Sequence, residues 1–150
     1  MSHADADLQD VVITRIYEAP RELVFACLTT PEHLTHFWGP PGVSTPLDKI
    51  VVELRPGGRF ETVMVNDETG EEYPSAGVYI EIDPPAKLIW GETGAADGMT
   101  TTTTFTDLGD GRCEVVIHQQ NVPAMYRSPE ALAGFNASLD RFVAYLATLG

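Results

Sequence analysis

Basic residues are scarce in this chain. Nine Lys and Arg stand against 22 Asp and Glu, giving a formal charge of −13 over 150 residues. That balance excludes nucleic acid as a partner, because phosphates would be repelled and their binders carry a Lys/Arg-lined face. It excludes an anionic membrane surface for the same reason. No apolar run approaches the ~20 residues that span a bilayer. The polar, acidic start Met1-Ser2-His3-Ala4-Asp5-Ala6-Asp7 has no secretory-leader pattern. Cysteine is equally sparse. Cys27 and Cys113 offer neither a disulfide framework nor metal-type spacing, so both read as reduced core fillers. These absences together indicate a cytoplasmic protein whose acidity serves solubility.

Catalytic signatures are also missing. There is no G-x-S-x-G elbow, and Cys27 has no polar helper nearby in the pattern. His33 and His36 lie three apart on an expected helix, a spacing that suits a metal. A third ligand is not evident unless His118 or Glu32 is recruited through the fold, so neither a metal nor a cofactor is expected. Gly57-Gly58 would need a following helix N-terminus to cradle phosphate. A strand pattern follows instead, so the pair reads as a hairpin turn. Tyr79, Glu53, His36 and Gln119 are the acid–base candidates, and no catalytic residue is assigned among them.

What is present reads as an ordinary globular composition, with 43% hydrophobic and 21% charged residues. Residues 1–150 form one domain, long enough to bury roughly 70% of its unfolded surface, with residues 1–9 a disordered tail. Val11 to Glu18 is rich in β-branched residues and reads as a strand. Pro20 suits a first helical residue, and Leu23, Val24, Cys27 and Leu28 then recur at helical spacing. Thr30-Pro31 repeats the cap-plus-proline start for a second short helix to about Trp38.

Strand patterns follow over Asp48–Leu54, Arg59–Asn66, Ser75–Ile82, Lys87–Thr93, Thr100–Thr106 and Arg112–Asn121. Between them lie turn sequences such as Pro56-Gly57-Gly58, Asp83-Pro84-Pro85 and Leu108-Gly109-Asp110-Gly111. Links this short pair sequential strands as an antiparallel meander. Gly94-Ala95-Ala96-Asp97-Gly98 reads as the loosest connection. From Ser128-Pro129 to about Leu149, the residues Leu132, Phe135, Leu139, Phe142, Val143 and Leu146 form one apolar stripe on a helix roughly 33 Å long. Such a helix must bury its stripe against the sheet. The expected fold is therefore α+β: a curved antiparallel sheet wrapped around a long C-terminal helix, with two short helices after the first strand.

Several short pieces carry a family resemblance. They are Glu18-Ala19-Pro20, Pro31 with Phe37-Trp38-Gly39, Leu54-Arg55-Pro56-Gly57-Gly58, Gly77-Val78-Tyr79, Asp83-Pro84-Pro85, Phe105-Thr106-Asp107 and Ser138-Leu139-Asp140-Arg141. In this order the chain resembles the activator-of-Hsp90-ATPase-homologue (AHSA1-like) branch of the START-like, SRPBCC superfamily. The resemblance implies the helix-grip (START-like/Bet v 1-like) fold, with a cavity left between sheet and long helix. It specifies a fold well and a reaction poorly.

Strand parity indicates which side chains face that cavity. Phe60, Thr62 and Met64 share one face, inward because Arg59 and Glu61 belong in solvent. By the same parity Leu88, Trp90, Thr101, Thr103, Phe105, Val115, Ile117 and Gln119 point inward. Trp38, Phe135, Leu139 and Phe142 join them from the helices. Tyr79 is included, although Val78 and Ile80 compete with it for the interior and its facing stays open. Inward Thr101, Thr103 and Gln119 favour a cavity over solid core, since buried polar groups need partners or water.

Three functions follow from this set. The first is a bacterial-type protein holding a small hydrophobic, lipid-like or aromatic molecule in the cavity. The second is a cyclase- or hydrolase-like enzyme acting on an aromatic or polyketide-type substrate. The third, implied by the resemblance, is a chaperone-interaction module, with a homodimer as a further partner.

Overall fold

The computed structural model describes residues 9–92, 99–122, 124 and 127–149. The expected tail lies outside the described residues except for Gln9, which already belongs to the first strand. The loose connection at 94–98 also lies outside them.

Strand β1 (Gln9–Tyr17) is followed by α1 (Arg21–Thr29) and α2 (Pro31–Phe37). Both short helices start on a residue in extended conformation whose carbonyl takes the first helical bonds. Pro20 O accepts from the N–H groups of Leu23 and Val24 at 3.0 and 3.2 Å, and Thr30 O accepts from His33 and Leu34 at 3.0 and 2.9 Å. The Thr30 hydroxyl does not cap its helix. Pro31 fits there because the first helical N–H has no partner to lose.

The remaining strands are β2 (Val43–Ser44), β3 (Val51–Val52), β4 (Arg59–Asn66), β5 (Glu72–Asp83), β6 (Lys87–Glu92), β7 (Thr100–Asp107) and β8 (Cys113–Val122). They form one antiparallel sheet in the order β1-β8-β7-β6-β5-β4-β2, with β3 also paired to β4. The chain closes with α3 (Pro129–Leu149). The sheet is thus a meander from β4 to β8, with β1 returning to the β8 edge. The fold is the expected open, curved antiparallel sheet with a long C-terminal helix and two short helices near the start.

Three local differences have physical causes. The strand expected over 48–54 is a 3-10 turn, Leu47–Lys49, followed by the two-residue β3. The chain turns after Val52 because Arg55 N–H bonds Glu53 O and Gly58 N–H bonds Arg55 O, each at 2.8 Å. A Cβ on Gly58 would collide with the Glu53 carbonyl oxygen, so the turn requires glycine.

Tyr79 resolves inward. A bulge between Tyr79 and Glu81 gives β5 an extra residue, Ile80, which is 51% exposed while Tyr79 is 1% exposed. On α3, Phe142 and Leu146 are buried, but Val143 is 46% exposed and leaves the expected stripe. One residue is ~100° around a helix, so Val143 cannot share the Phe142 face. Tyr145 packs in its stead against α2, with its ring 5.1 Å from His36 and 5.7 Å from Phe37.

Two arginines fasten helix α3. Arg15 of β1 donates to Asp140 Oδ1 at 3.0 Å and to the Asn136 carbonyl at 3.2 Å. Arg141 Nη1 donates to the carbonyls of Gly39, Pro40 and Val43 at 2.8, 2.9 and 3.3 Å, tying the loop after α2 to the helix. No helix among the described residues is long and apolar enough to cross a membrane.

Candidate functional site

Between the sheet and α3 lies a cavity of about 570 Å3. Its floor is the inward row of alternate residues on four strands. Phe60 and Met64 come from β4, Leu88 and Trp90 from β6, Thr101 and Thr103 from β7, and Val115 and Ile117 from β8. Period-two alternation accounts for the whole set. Strand β5 contributes no wall residue there. Its Gly77 faces Phe60 in register, and a Cβ on it would come within 2.9 Å of the Trp90 ring. The missing side chain lets the indole of Trp90 lie across β5.

Phe60 is the hub of the aromatic wall. Its ring meets Trp90 edge-on at 5.1 Å and Trp38 edge-on at 5.5 Å, and it stacks on Tyr79 at 5.6 Å. Such offset and edge-to-face geometries are the favourable ones for ring quadrupoles. At one end Tyr17 and Phe37 close the space, each against Phe142, at 5.1 and 4.4 Å between ring centres. Leu28, Gly39 and Pro40 complete that side, and the Arg141 clasp holds the last two in place.

The roof explains why there is a cavity at all. The N-terminal half of α3 presents Ala131, Gly134 and Ser138 to the sheet, with Phe135 and Leu139 beside them. The other half presents Phe142 and Leu146, which reach the core and are buried. Small residues at this helical spacing leave unfilled the volume that large ones occupy further along. A Cβ added to Gly134 would meet nothing within 4 Å.

The wall is nearly free of charge. Glu130, in the exposed first turn of α3, is the one Asp, Glu, Lys, Arg or His among the described residues lining it. Thr101 and Thr103 bring hydroxyls to the floor, and the Ser138 hydroxyl is spent on the Gly134 carbonyl at 3.1 Å. Burial pushes the Tyr17 phenol up to about 12, with the nearby Arg15 opposing, so Tyr17 stays neutral at ordinary pH. Burial likewise pushes the Cys27 thiol up to about 11.

Of the residues expected at the cavity, the structure brings together Trp38, Phe60, Met64, Trp90, Thr101, Thr103, Ile117, Phe135, Leu139 and Phe142. Thr62, Tyr79, Phe105 and Gln119 do not line it. Tyr79 stands behind Phe60, with its hydroxyl buried and without a hydrogen-bond partner among the described residues, and burial raises its pKa. Phe105 is turned to α1, with its ring 5.4 Å from Phe25. Thr62 is buried in the sheet at 3% exposure. Gln119 pairs with Val11 and Thr101 toward the end of β8, beyond the wall formed by Val115 and Ile117.

The other chemical candidates lie elsewhere. Glu53 bonds Arg59 at the surface, and those charge-assisted bonds hold its carboxyl below the usual range. His36 stacks on Tyr145, while His33 Nδ1 lies 2.6 Å from the Tyr145 hydroxyl. His118 pairs with Asp10 at 2.9 Å. Among the described residues no three His, Cys, Asp or Glu side chains come together to hold a metal. Sequence parity missed Gly134, Ala131, Ser138 and Glu130. The legible signal was the repeat of small residues at positions 131, 134 and 138 of a helix.

Comparison with known proteins agrees with this architecture. The family model described as Activator of Hsp90 ATPase homolog 1-like protein matches residues 18–147. A crystal structure of a Nitrosomonas europaea protein is similar over 97% of this chain and 98% of its own, with TM-score 0.82 and 24% identity. A Chromobacterium violaceum protein is similar over 90% and 95%, with TM-score 0.81 and 22% identity. The AHSA1 protein of Silicibacter pomeroyi covers 94% of this chain and 99% of its own, with TM-score 0.77 and 22% identity. No curated protein matches the chain.

Proposed function

This chain belongs to the Activator of Hsp90 ATPase homolog 1-like family, and from that premise and the cavity we propose that it binds a small hydrophobic or aromatic molecule between sheet and α3. The observation that carries the reading is an apolar, aromatic-walled space of about 570 Å3. Pockets that take drug-sized ligands run from roughly 300 to 1,000 Å3 and are mostly apolar with a few polar groups. Core of the ordinary kind leaves few voids larger than a water molecule.

Binding is favoured over catalysis by where the ionisable groups lie. Glu53, His36 and Tyr79 stand off the cavity, burial keeps the lining Tyr17 phenol neutral, and among the described residues the one carboxylate on the wall, Glu130, is at the exposed helix start rather than in a buried acid–base pair. An interaction-module reading would draw on the outer sheet face, where Val12, Ile16 and Ile80 are 59, 53 and 51% exposed. In the row that starts at Val12 the outward neighbours are His118 and Thr102 before Ile89 is reached, so polar residues divide the apolar ones. The cytoplasm is the compartment proposed for this activity, on the acidity and the two unpaired thiols.

A titration tests the reading. Neutral polyaromatic probes should quench tryptophan emission with affinities around micromolar, equivalent to ~8 kcal/mol, because Trp38 and Trp90 both line the space. Gly134→Phe should fill the space and abolish the quenching while the protein stays folded, since nothing lies within 4 Å of the new Cβ. Probes that leave the emission unchanged across a broad set would contradict the proposal.

A further inference from the structure

The charge of the ligand can be read from where the cations are. Nine Lys and Arg exist in the whole sequence, and all nine lie among the described residues. None lines the cavity. Lys49, Lys87 and Arg112 are paired with Glu72, Glu81 and Asp110 at the surface. Arg55 and Arg59 share Glu53. Arg15 is bonded to Asp140, and Arg21 and Arg127 donate to the carbonyls of Phe105 and Val122.

Arg141 is not a lining residue, and its Nη1 donates to the carbonyls of Gly39, Pro40 and Val43. An anionic ligand group among the lining side chains would therefore touch no ammonium or guanidinium. Sunk among the apolar walls, a carboxylate would lose its hydration without replacement. Left at the mouth, it would face Glu130 and the field of a chain carrying −13.

We infer that the cavity selects against acids and takes an aromatic or polycyclic ligand that is neutral or carries an amine, with the amine at the Glu130 carboxylate. Fatty acids and aromatic carboxylates are outside its range. The inference rests on the binding reading above and narrows it. The apolar body lies over the floor of Trp90, Leu88 and Ile117. Hydroxyl or carbonyl groups reach Thr101 and Thr103. A cationic end stays at the solvent-facing first turn of α3, where Glu130 attracts it without itself being buried.

Three probes with one polycyclic body separate these claims: 1-pyrenemethylamine, 1-pyrenemethanol and 1-pyrenecarboxylate, each titrated by energy transfer from tryptophan at pH 7.5 in low salt. In the native protein the amine and the alcohol should bind, with the carboxylate at least ~10-fold weaker, as burial of an unpaired charge demands. Glu130→Gln should weaken the amine by up to about fivefold, the upper end for an exposed ion pair, and leave the alcohol unchanged. Glu130→Lys should bring the carboxylate level with or ahead of the amine. The alcohol serves in every variant as the control for an intact cavity.

Equal affinities for all three probes, or a carboxylate that binds tightest, would overturn the charge selection while the binding reading stands. An amine-to-alcohol ratio unmoved by both Glu130 variants would overturn the role of Glu130. Failure of all three probes to bind would remove the binding reading and this inference together.

Discussion

At the scale of single residues, the stability of the fold rests on a few fully buried side chains. Phe142 is 2% exposed and touches the rings of Tyr17 and Phe37. Phe142→Ala should cost about 3–5 kcal/mol in denaturant unfolding, as buried aromatics do. Phe135 sits at the cavity edge, half-buried, and its removal enlarges a space already there. Phe135→Ala should therefore cost clearly less than Phe142→Ala; equal losses would show that the N-terminal half of α3 packs as solid core.

Cys27 and Tyr17 carry a pH dependence whose sign is fixed by burial. Both pKa values are raised in the folded state, the thiol to about 11 and the phenol to about 12. Each group therefore contributes stability that is whole below its unfolded value, ~9 and ~10, and is lost as pH climbs through the folded value. The urea midpoint should fall between about pH 9 and pH 12, and native Cys27 and Cys113 should resist thiol reagents at pH 8. Rapid labelling of the folded protein would contradict their burial.

At the scale of elements, much of the fold was legible and the reasons for the gaps are local. The bounds of β4 follow from Gly58 on one side and Asn66-Asp67 on the other, and α3 follows from Pro129 and its apolar repeat. The strand expected over 48–54 failed because its bend is set by backbone bonds around Glu53 and Arg55, which no periodicity records. The position of Tyr79 was open for a similar reason, since one bulge residue flips the facing of a strand. Parity found most of the cavity floor, but it could not tell a lined space from a filled one. That distinction sits in the roof, where Ala131, Gly134 and Ser138 leave the volume empty.

Three substitutions test the helix at this scale. Gly134→Ala should stabilise the protein by up to ~1 kcal/mol, because alanine favours helix and nothing obstructs its methyl group. Arg141→Ala should cost about 1–3 kcal/mol, the loss of charge-assisted bonds, and speed amide exchange in residues 39–43. Asp140→Ala, at a partner whose side chain is 72% exposed, should cost less than ~1 kcal/mol. A loop that exchanges no faster in Arg141→Ala would mean that the clasp does not hold the cavity mouth.

At the scale of the whole molecule, a charge of −13 acts on both stability and selection. Self-repulsion opposes the compact state and is screened by salt, whose Debye length falls from ~30 Å at 0.01 M to ~8 Å at 0.15 M. The thermal midpoint should rise over that range of sodium chloride. The same field leaves neutral aromatic ligands unaffected, so their affinity should not follow salt. The most direct test of the central claim, that the space under α3 is a ligand site, is a crystal structure of the protein with 1-pyrenemethanol. The pyrene should lie between β6, β7 and α3, against Trp90 and beneath Gly134, with its hydroxyl near Thr101 or Thr103. A probe bound only on the outer sheet face, or a cavity closed by inward movement of α3, would contradict it.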